Sequence, residues 1–161
     1  MLHWTEIVLD GDLRLRLVAS PAGVRAVEFQ PVLRVEGIPD DRDPVLAELA
    51  RELRAYFAAG LRRFEVPLDI QGTDFQKRVW RELLTIPFGE TRSYQQIATA
   101  IGAESAVRAV GAANGANPIA IVVPCHRVIG TNGKLTGYGG GLPLKRRLLE
   151  LEGAWTAELR Y

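Results

Sequence analysis

The spacing of apolar residues changes character part-way along this chain, and that change limits the folds open to it. Leu13, Leu15 and Leu17 alternate with Arg14 and Arg16, the two-residue period of a half-buried strand. Asp10-Gly11-Asp12 is turn chemistry, so residues 5–9 are expected to pair with that strand as a hairpin. Ser20-Pro21-Ala22-Gly23 makes a second turn leading to a strand over 24–30, and 31–42 reads as irregular. Past that point the period lengthens. Leu46, Leu49, Ala50, Leu53 and Phe57 share one helical face, with Asp43 as cap, Pro44 at the first helical position and Gly60 near the end. Three strands and a helix make a small α+β domain over residues 1–66, without catalytic spacing and mainly structural, and 67–72 form the connection.

The remainder, 73–161, is expected to be mostly helical. Thr73 with Gln76 is a capping-box pattern, followed by Phe75, Val79, Trp80 and Leu83, and Pro87 and Gly89 end that helix. Ser93 with Gln96 repeats the pattern for a short helix over 94–101, stopped by Gly102, and Ser105 is expected to cap a third over 106–113. Two short helices joined by Gly102-Ala103-Glu104 fit a helix-turn-helix, a pairing also common in proteins that never touch DNA. Ala106, Ala109, Gly111, Ala112 and Ala113 give the third helix a bare surface on which Arg108 stands out. Such a surface suits tight packing against another helix or close approach to a nucleic-acid groove, and both readings stay open at this point.

Composition removes several function classes. Of the 161 residues 47% are hydrophobic, enough for a packed core, yet no run approaches the roughly 20 apolar residues of a membrane helix. Met1-Leu2-His3-Trp4-Thr5-Glu6 lacks the basic start and apolar run of a signal peptide, so a cytoplasmic location, on the nucleoid in a bacterium, and no membrane partner are expected. One cysteine excludes an intramolecular disulfide, and with only His3 and His126 beside it no metal and no cofactor are expected. The net charge of +1 is uninformative, but 1–72 carry 9 Lys+Arg against 12 Asp+Glu, and 73–161 carry 11 against 7. A basic second half can attract phosphate, and a difference this small also fits ordinary scatter.

The chemistry concentrates around the single cysteine. Residues 119–123 are a short apolar run, read as a buried strand, which ends at Pro124-Cys125-His126-Arg127. A lone cysteine beside such a run is commonly an inert core residue. Here Pro124 stops the strand, two strongly polar residues follow, and Asn117-Pro118 forms a turn whose side-chain amide can bridge neighbouring backbone. A thiol needs a base or a positive field to become a nucleophile at neutral pH. His126 is the candidate base, although neighbours on an extended backbone point to opposite faces, so contact requires a bend or a bridging water. An acid must orient the histidine, and Glu150 and Glu152, read as belonging to a C-terminal helix over 142–151, are the candidates.

Pro124-Cys125-His126-Arg127-Val128 resembles the active-site signature of the O6-alkylguanine-DNA alkyltransferases, or methylated-DNA–protein-cysteine methyltransferases. The resemblance extends over about half the chain, through Phe88-Gly89-Glu90, Ser93-Tyr94-Gln95-Gln96, Arg108-Ala109-Val110-Gly111 and Asn117-Pro118. It continues with Gly137-Tyr138-Gly139-Gly140-Gly141-Leu142, Lys145 and Leu148-Leu149. It implies an α+β fold, with a small N-terminal antiparallel sheet and helix, ribonuclease-H-like in that family, before a mostly helical domain with a helix-turn-helix. It also implies DNA repair by irreversible, single-turnover transfer of an alkyl group from O6-alkylguanine, and from O4-alkylthymine, to Cys125 after nucleotide flipping.

By the same resemblance, His126 deprotonates Cys125 through a water, Glu152 holds the histidine and Asn117 braces the turn. Tyr94, Asn114, Val128, Tyr138, Gly139 and Lys145 form the substrate pocket, and Tyr94 favours loss of the neutral base. Arg108 enters the base stack from the minor groove, with Ala109 and Gly111 beside it. The implied partner is double-stranded DNA containing alkylated bases, bound by a monomer, with cooperative assembly on DNA left open. Gly139 stands where many relatives carry a serine, and Gly139-Gly140-Gly141 implies a mobile loop that admits larger alkyl groups. No cysteine is spare for a metal-assisted first domain. Against the alkyltransferase stand a non-catalytic alkylated-DNA-binding protein, whose relatives replace the cysteine, and a helix-turn-helix transcriptional regulator, which expects a more polar recognition helix. A cysteine hydrolase ranks last.

Overall fold

The structure, a computed structural model, describes residues 1–32, 34–156 and 159. Leu33, in the stretch expected to be irregular, and 157–158 and 160–161, at the end of the expected second half, lie outside the described residues. The chain divides into two compact units, Met1–Gln71 with Pro118–Val122, and Gly72–Asn117 with Val123–Tyr161.

In the first unit β1 (His3–Leu9) and β2 (Leu13–Ser20) form the hairpin, closed at Leu9↔Leu13 by a turn with Gly11 and Asp12 at φ 78° and 57°. Positive φ at these two loop positions suits a glycine and an aspartate, which enter the left-handed region at low cost. β3 (Gly23–Phe29) lies antiparallel to β2. The irregular stretch supplies one strand the sequence did not announce, β4 (Ile38–Pro39), parallel to β1, so the sheet is mixed, in the order β3-β2-β1-β4. That edge strand is two residues long, too short to leave a periodic pattern, and is flanked by Ile38 N–H to Leu2 O at 2.9 Å and Asp40 N–H to Trp4 O at 2.9 Å.

Helix α1 (Pro44–Phe57) packs on the sheet and buries Leu46, Leu49, Leu53 and Tyr56 completely. Asp43 Oδ1 accepts from Val45 N–H at 2.9 Å and Leu46 N–H at 3.2 Å, the expected cap. The chain leaves the helix through Ala59, at φ 60°, rather than through Gly60, whose N–H returns to Ala55 O at 2.8 Å. β2 is not half-buried. Arg16 is only 6% exposed because its guanidinium lies 4.7 Å from the Trp4 ring centre and pairs with Glu6 at 2.9 Å. A long side chain with an aromatic lid buries its stem as an apolar residue would.

The apolar run 119–123 is buried, but it is not a strand. It meets β3 through Val27 N–H to Pro118 O at 3.0 Å and Ala120 N–H to Val27 O at 3.4 Å, then turns with Ile121 at φ 72°. A β-branched residue there costs about 1–2 kcal/mol, a cost the burial of the run offsets. The turn continues through Val122 N–H to Ala120 O at 2.8 Å.

In the second unit α2 (Asp74–Leu83) and α3 (Tyr94–Ala100) carry complete capping boxes from Thr73/Gln76 and Ser93/Gln96. α4 (Val107–Gly115) begins later than expected. Its cap is Ala106, with no side-chain bond, so Ser105 lies outside the helix and does not cap it. Trp80 Nε1–H donates to Ala113 O at 2.8 Å and ties α2 to α4. Two further strands went unread in the sequence. β5 (Arg92–Ser93) runs parallel to β6 (Val128–Ile129), which sets the start of α3 beside the chain that follows the cysteine. α5 (Leu142–Leu151) starts at Gly141, φ 93°, with Pro143 in its first turn. Among the described residues no helix is long and apolar enough to cross a membrane.

Thr73→Ala removes one side of the α2 capping box and is expected to lower stability by about 1 kcal/mol in urea denaturation without changing the m-value.

Candidate active site

Cys125–Arg127 form one turn of 3-10 helix after Pro124. Three residues per turn separate neighbouring side chains by about 120°, so Cys125, His126 and Arg127 diverge without facing opposite ways as they would on an extended chain. Cys125 is 7% exposed, its N–H bonded to Val123 O at 2.8 Å. Asn117 Nδ2 donates to Val123 O at 2.8 Å and to Cys125 Sγ at 3.1 Å, so one amide braces the turn and faces the sulfur. Asn114 Nδ2 reaches Cys125 O at 3.4 Å, and its Oδ1 is buried without a hydrogen-bond partner among the described residues.

His126 is completely buried, and its Nε2 lies 2.8 Å from Glu152 Oε2. Arg127 meets the same carboxylate from the other side, Nε to Oε1 at 2.8 Å and Nη2 to Oε2 at 3.0 Å, and its Nη1 donates to Ile86 O at 2.7 Å. Burial works against the Glu152 charge, but the hydrogen bonds from His126 and Arg127 outweigh it and hold the carboxyl at about 2. An ionised carboxylate only accepts, so His126 must carry its proton on Nε2. Burial pushes the imidazole down, against the pull of Glu152. A neutral ring with Nε2–H leaves Nδ1 as a base, and Nδ1 is buried with no hydrogen-bond partner among the described residues.

Burial pushes the Cys125 thiol up, opposed by the Asn117 hydrogen bond and by the Lys145 charge. Lys145 is fully buried on α5 and donates from Nζ to Val128 O at 2.7 Å. Burial brings its ammonium down to about 8, with Cys125 pulling the other way. The cysteine therefore sits against two groups, Asn117 and Lys145, that favour its anion, and the next residue along the turn is His126 with its bare Nδ1.

Tyr94, the first residue of α3, pairs its hydroxyl with Thr136 Oγ1 at 2.7 Å, and burial pushes that hydroxyl up. The Tyr138 ring stands edge-on to His126 at 6.5 Å between centres, Val128 is fully buried, and Gly139 is exposed. The structure thus gathers Cys125, His126, Glu152, Asn117, Asn114 and Lys145 through direct bonds or charge, with Tyr138 in ring contact, Val128 on β6 and Tyr94 at the start of α3, directly after β5. Glu150 is elsewhere, bonded to Arg146 at 2.9 Å. Arg108, Ala109 and Ala112 are exposed on α4, while Val110, Ala113 and Asn114 face inward, so the small residues divide between an open side at Ala109 and Ala112 and a packed one at Ala113. Gly111 packs by Tyr94, where an added Cβ would lie 3.9 Å from the ring.

Two residues went unassigned in the sequence. Arg127 completes the carboxylate's shell, and its position directly after His126 was the available signal. Thr136 left none, since a threonine in a Gly-rich loop is ordinary.

Glu152→Gln is expected to cost about 3–5 kcal/mol, because it leaves the buried Arg127 without its counter-charge. The folded carboxyl titrates below its usual value near 4.5, so its stabilisation is complete above that pH and is lost as pH falls toward about 2. Acid titration of stability checks this, and the variant should lose that part of the acid transition.

Residues 74–154 match the family model described as 6-O-methylguanine DNA methyltransferase, DNA binding domain. The methylated-DNA–protein-cysteine methyltransferase of Mycobacterium tuberculosis is 70% identical over 101 residues, 63% of this chain and 61% of that protein. The chain thus spans about three fifths of the length of this relative. The enzyme of the same name from Methanosarcina acetivorans is 50% identical over 141 residues, covering 86% of this chain and 90% of that one. The crystal structure of Mycobacterium tuberculosis OGT in complex with DNA superposes with a TM-score of 0.87 at 48% identity, over 98% of this chain and 95% of that one. By motif, geometry and likeness together, the chain belongs to the 6-O-methylguanine DNA methyltransferase family.

Proposed function

We propose that this protein repairs DNA by taking the alkyl group from O6-alkylguanine onto Cys125, once per molecule. The observation that carries the reading is the Asn117 amide 3.1 Å from the Cys125 sulfur, in a turn whose next residue is a histidine anchored through Nε2 on Glu152 at 2.8 Å. His126 Nδ1 takes the thiol proton through a water, and Asn117 and Lys145 stabilise the thiolate. Sulfur attacks the alkyl carbon, the S–C bond forms as the C–O bond breaks, and the electron pair stays with the base. The base takes up a proton with help from the Tyr94 hydroxyl and leaves neutral. The product is a thioether, and with no second thiol in the chain nothing reverses it.

A thiolate cannot reach a base inside a duplex, so the nucleotide is extruded. The exposed side of α4 approaches the minor groove, with Ala109 and Gly111 allowing close contact and Arg108 filling the gap. α3 and α4 act as the helix-turn-helix, and residues 73–161 are the alkyltransferase and DNA-binding domain. Residues 1–66, ribonuclease-H-like in plan, are structural, and 67–72 connect the two. Tyr138 and the loop at Gly139 close over the flipped base, while the Asn114 and Val128 surroundings receive its edge. The orphaned Asn114 Oδ1 supports a donor on the ligand at that point. The loop glycines leave room for larger alkyl groups and for O4-alkylthymine. The protein works in the cytoplasm as a monomer.

Incubation with a duplex containing O6-methylguanine, followed by intact-mass measurement and peptide mapping, tests this. One methyl group per molecule on the Cys125 peptide is expected, with none on Cys125→Ser. Binding without a mass change would mean a non-catalytic damage binder, and a sequence-specific footprint on undamaged DNA would mean a regulator.

A further inference from the structure

In the first unit, a histidine and two aspartates from separate segments converge. His3 opens β1, Asp40 follows β4, and Asp43 caps α1. His3 Nδ1 lies 3.3 Å from Asp40 Oδ2 and 2.9 Å from Asp43 Oδ2, and one atom from each residue falls within 4.8 Å of the others. Among the described residues, the only cationic partner of these two carboxylates is His3, itself charged only when protonated. Asp41, one residue along the chain, is occupied instead with Thr5, whose Oγ1 donates to its Oδ1 at 2.7 Å. With a neutral imidazole the cluster carries excess negative charge and no fixed counter-ion.

The backbone beneath it is pinned. His3 pairs with Ile38, Trp4 with Pro39, and Asp40 N–H donates to Trp4 O at 2.9 Å, so the two segments keep their separation. Asp43 uses Oδ1 for the helix cap and turns Oδ2 to the cluster. The residues are one-third exposed or less, which leaves a solvent-side approach.

We propose that His3, Asp40 and Asp43 form a site for a divalent transition-metal cation of the zinc class, held by one imidazole nitrogen and two carboxylate oxygens. Ligand bonds of about 2.0–2.2 Å in tetrahedral geometry put ligand atoms roughly 3.3–3.5 Å apart. The His3–Asp40 distance of 3.3 Å already meets that, and the His3–Asp43 distance of 2.9 Å needs to open by a few tenths. Three protein ligands leave the fourth position to water. The nitrogen ligand selects zinc or cobalt over magnesium or calcium, which take all-oxygen shells. A cation here ties the first residue of the sheet to the start of α1 and stabilises the first unit by mass action. The site does not depend on the reaction at Cys125.

Chelator-treated full-length protein, titrated with cobalt(II), gives the direct test. One equivalent should produce the intense visible absorption of a tetrahedral site, and zinc should displace it and raise Tm. Both signals should persist in Cys125→Ser, which removes the competing thiolate, and vanish in His3→Gln and in Asp40→Asn. Asp43 is left intact, because changing it would also remove the helix cap. Circular dichroism of the metal-free variants checks that they fold. Absence of binding in wild type, binding that survives in His3→Gln, or loss of binding in Cys125→Ser would each overturn the proposal. A Tm that responds to magnesium as strongly as to zinc would do the same.

Discussion

Everything at this site leans on one buried carboxylate. Glu152 ends α5, fixes the His126 ring through Nε2 and takes a forked pair of bonds from Arg127. Arg127 in turn donates to Ile86 O in the turn after α2. One acidic group therefore holds the ring beside the cysteine and links the 3-10 turn to two helical segments. It stays ionised although buried because two donors compensate what desolvation costs.

The balance at Cys125 follows from that anchor. Burial alone would leave a thiol without nucleophilic power, since it disfavours the anion. Asn117 and Lys145 offset burial from one side, and the bare Nδ1 of His126 offers a destination for the proton. Lys145 is itself weakened as a charge by burial, to about 8, so its support for the thiolate fades in the alkaline range. Burial thus keeps the resting group a thiol, while Asn117 and Lys145 act on the anion that forms when the proton leaves.

Elements with a long period or a strong cap were legible in the sequence: the hairpin, α1 behind Asp43-Pro44, the two capping-box helices and α5. What escaped were features set by distant partners. The two-residue strands β4, β5 and β6 are too short to show a period, and each exists because of the chain beside it. Residues 119–123 have strand composition, yet after Ala120 N–H reaches Val27 O the backbone turns, with Val122 N–H bonded to Ala120 O and Cys125 N–H to Val123 O. Arg16 looked solvent-facing by alternation and is instead covered by Trp4. At the site, residue types left Glu150 and Glu152 both open and the motif's resemblance pointed to Glu152 with Cys125, His126 and Asn117, while only coordinates reveal Arg127 as the carboxylate's second partner.

The protonation of His126 is the most direct check, since the account requires a neutral ring with its proton on Nε2, facing Glu152. Nitrogen-15 NMR of the histidine side chains reads this, and the chain has only two, so His3→Gln assigns the spectrum. Near neutral pH the account predicts Nε2 protonated and Nδ1 bare. An imidazolium, or a proton on Nδ1, would contradict it, because the ring would then have no free nitrogen to receive the proton of Cys125.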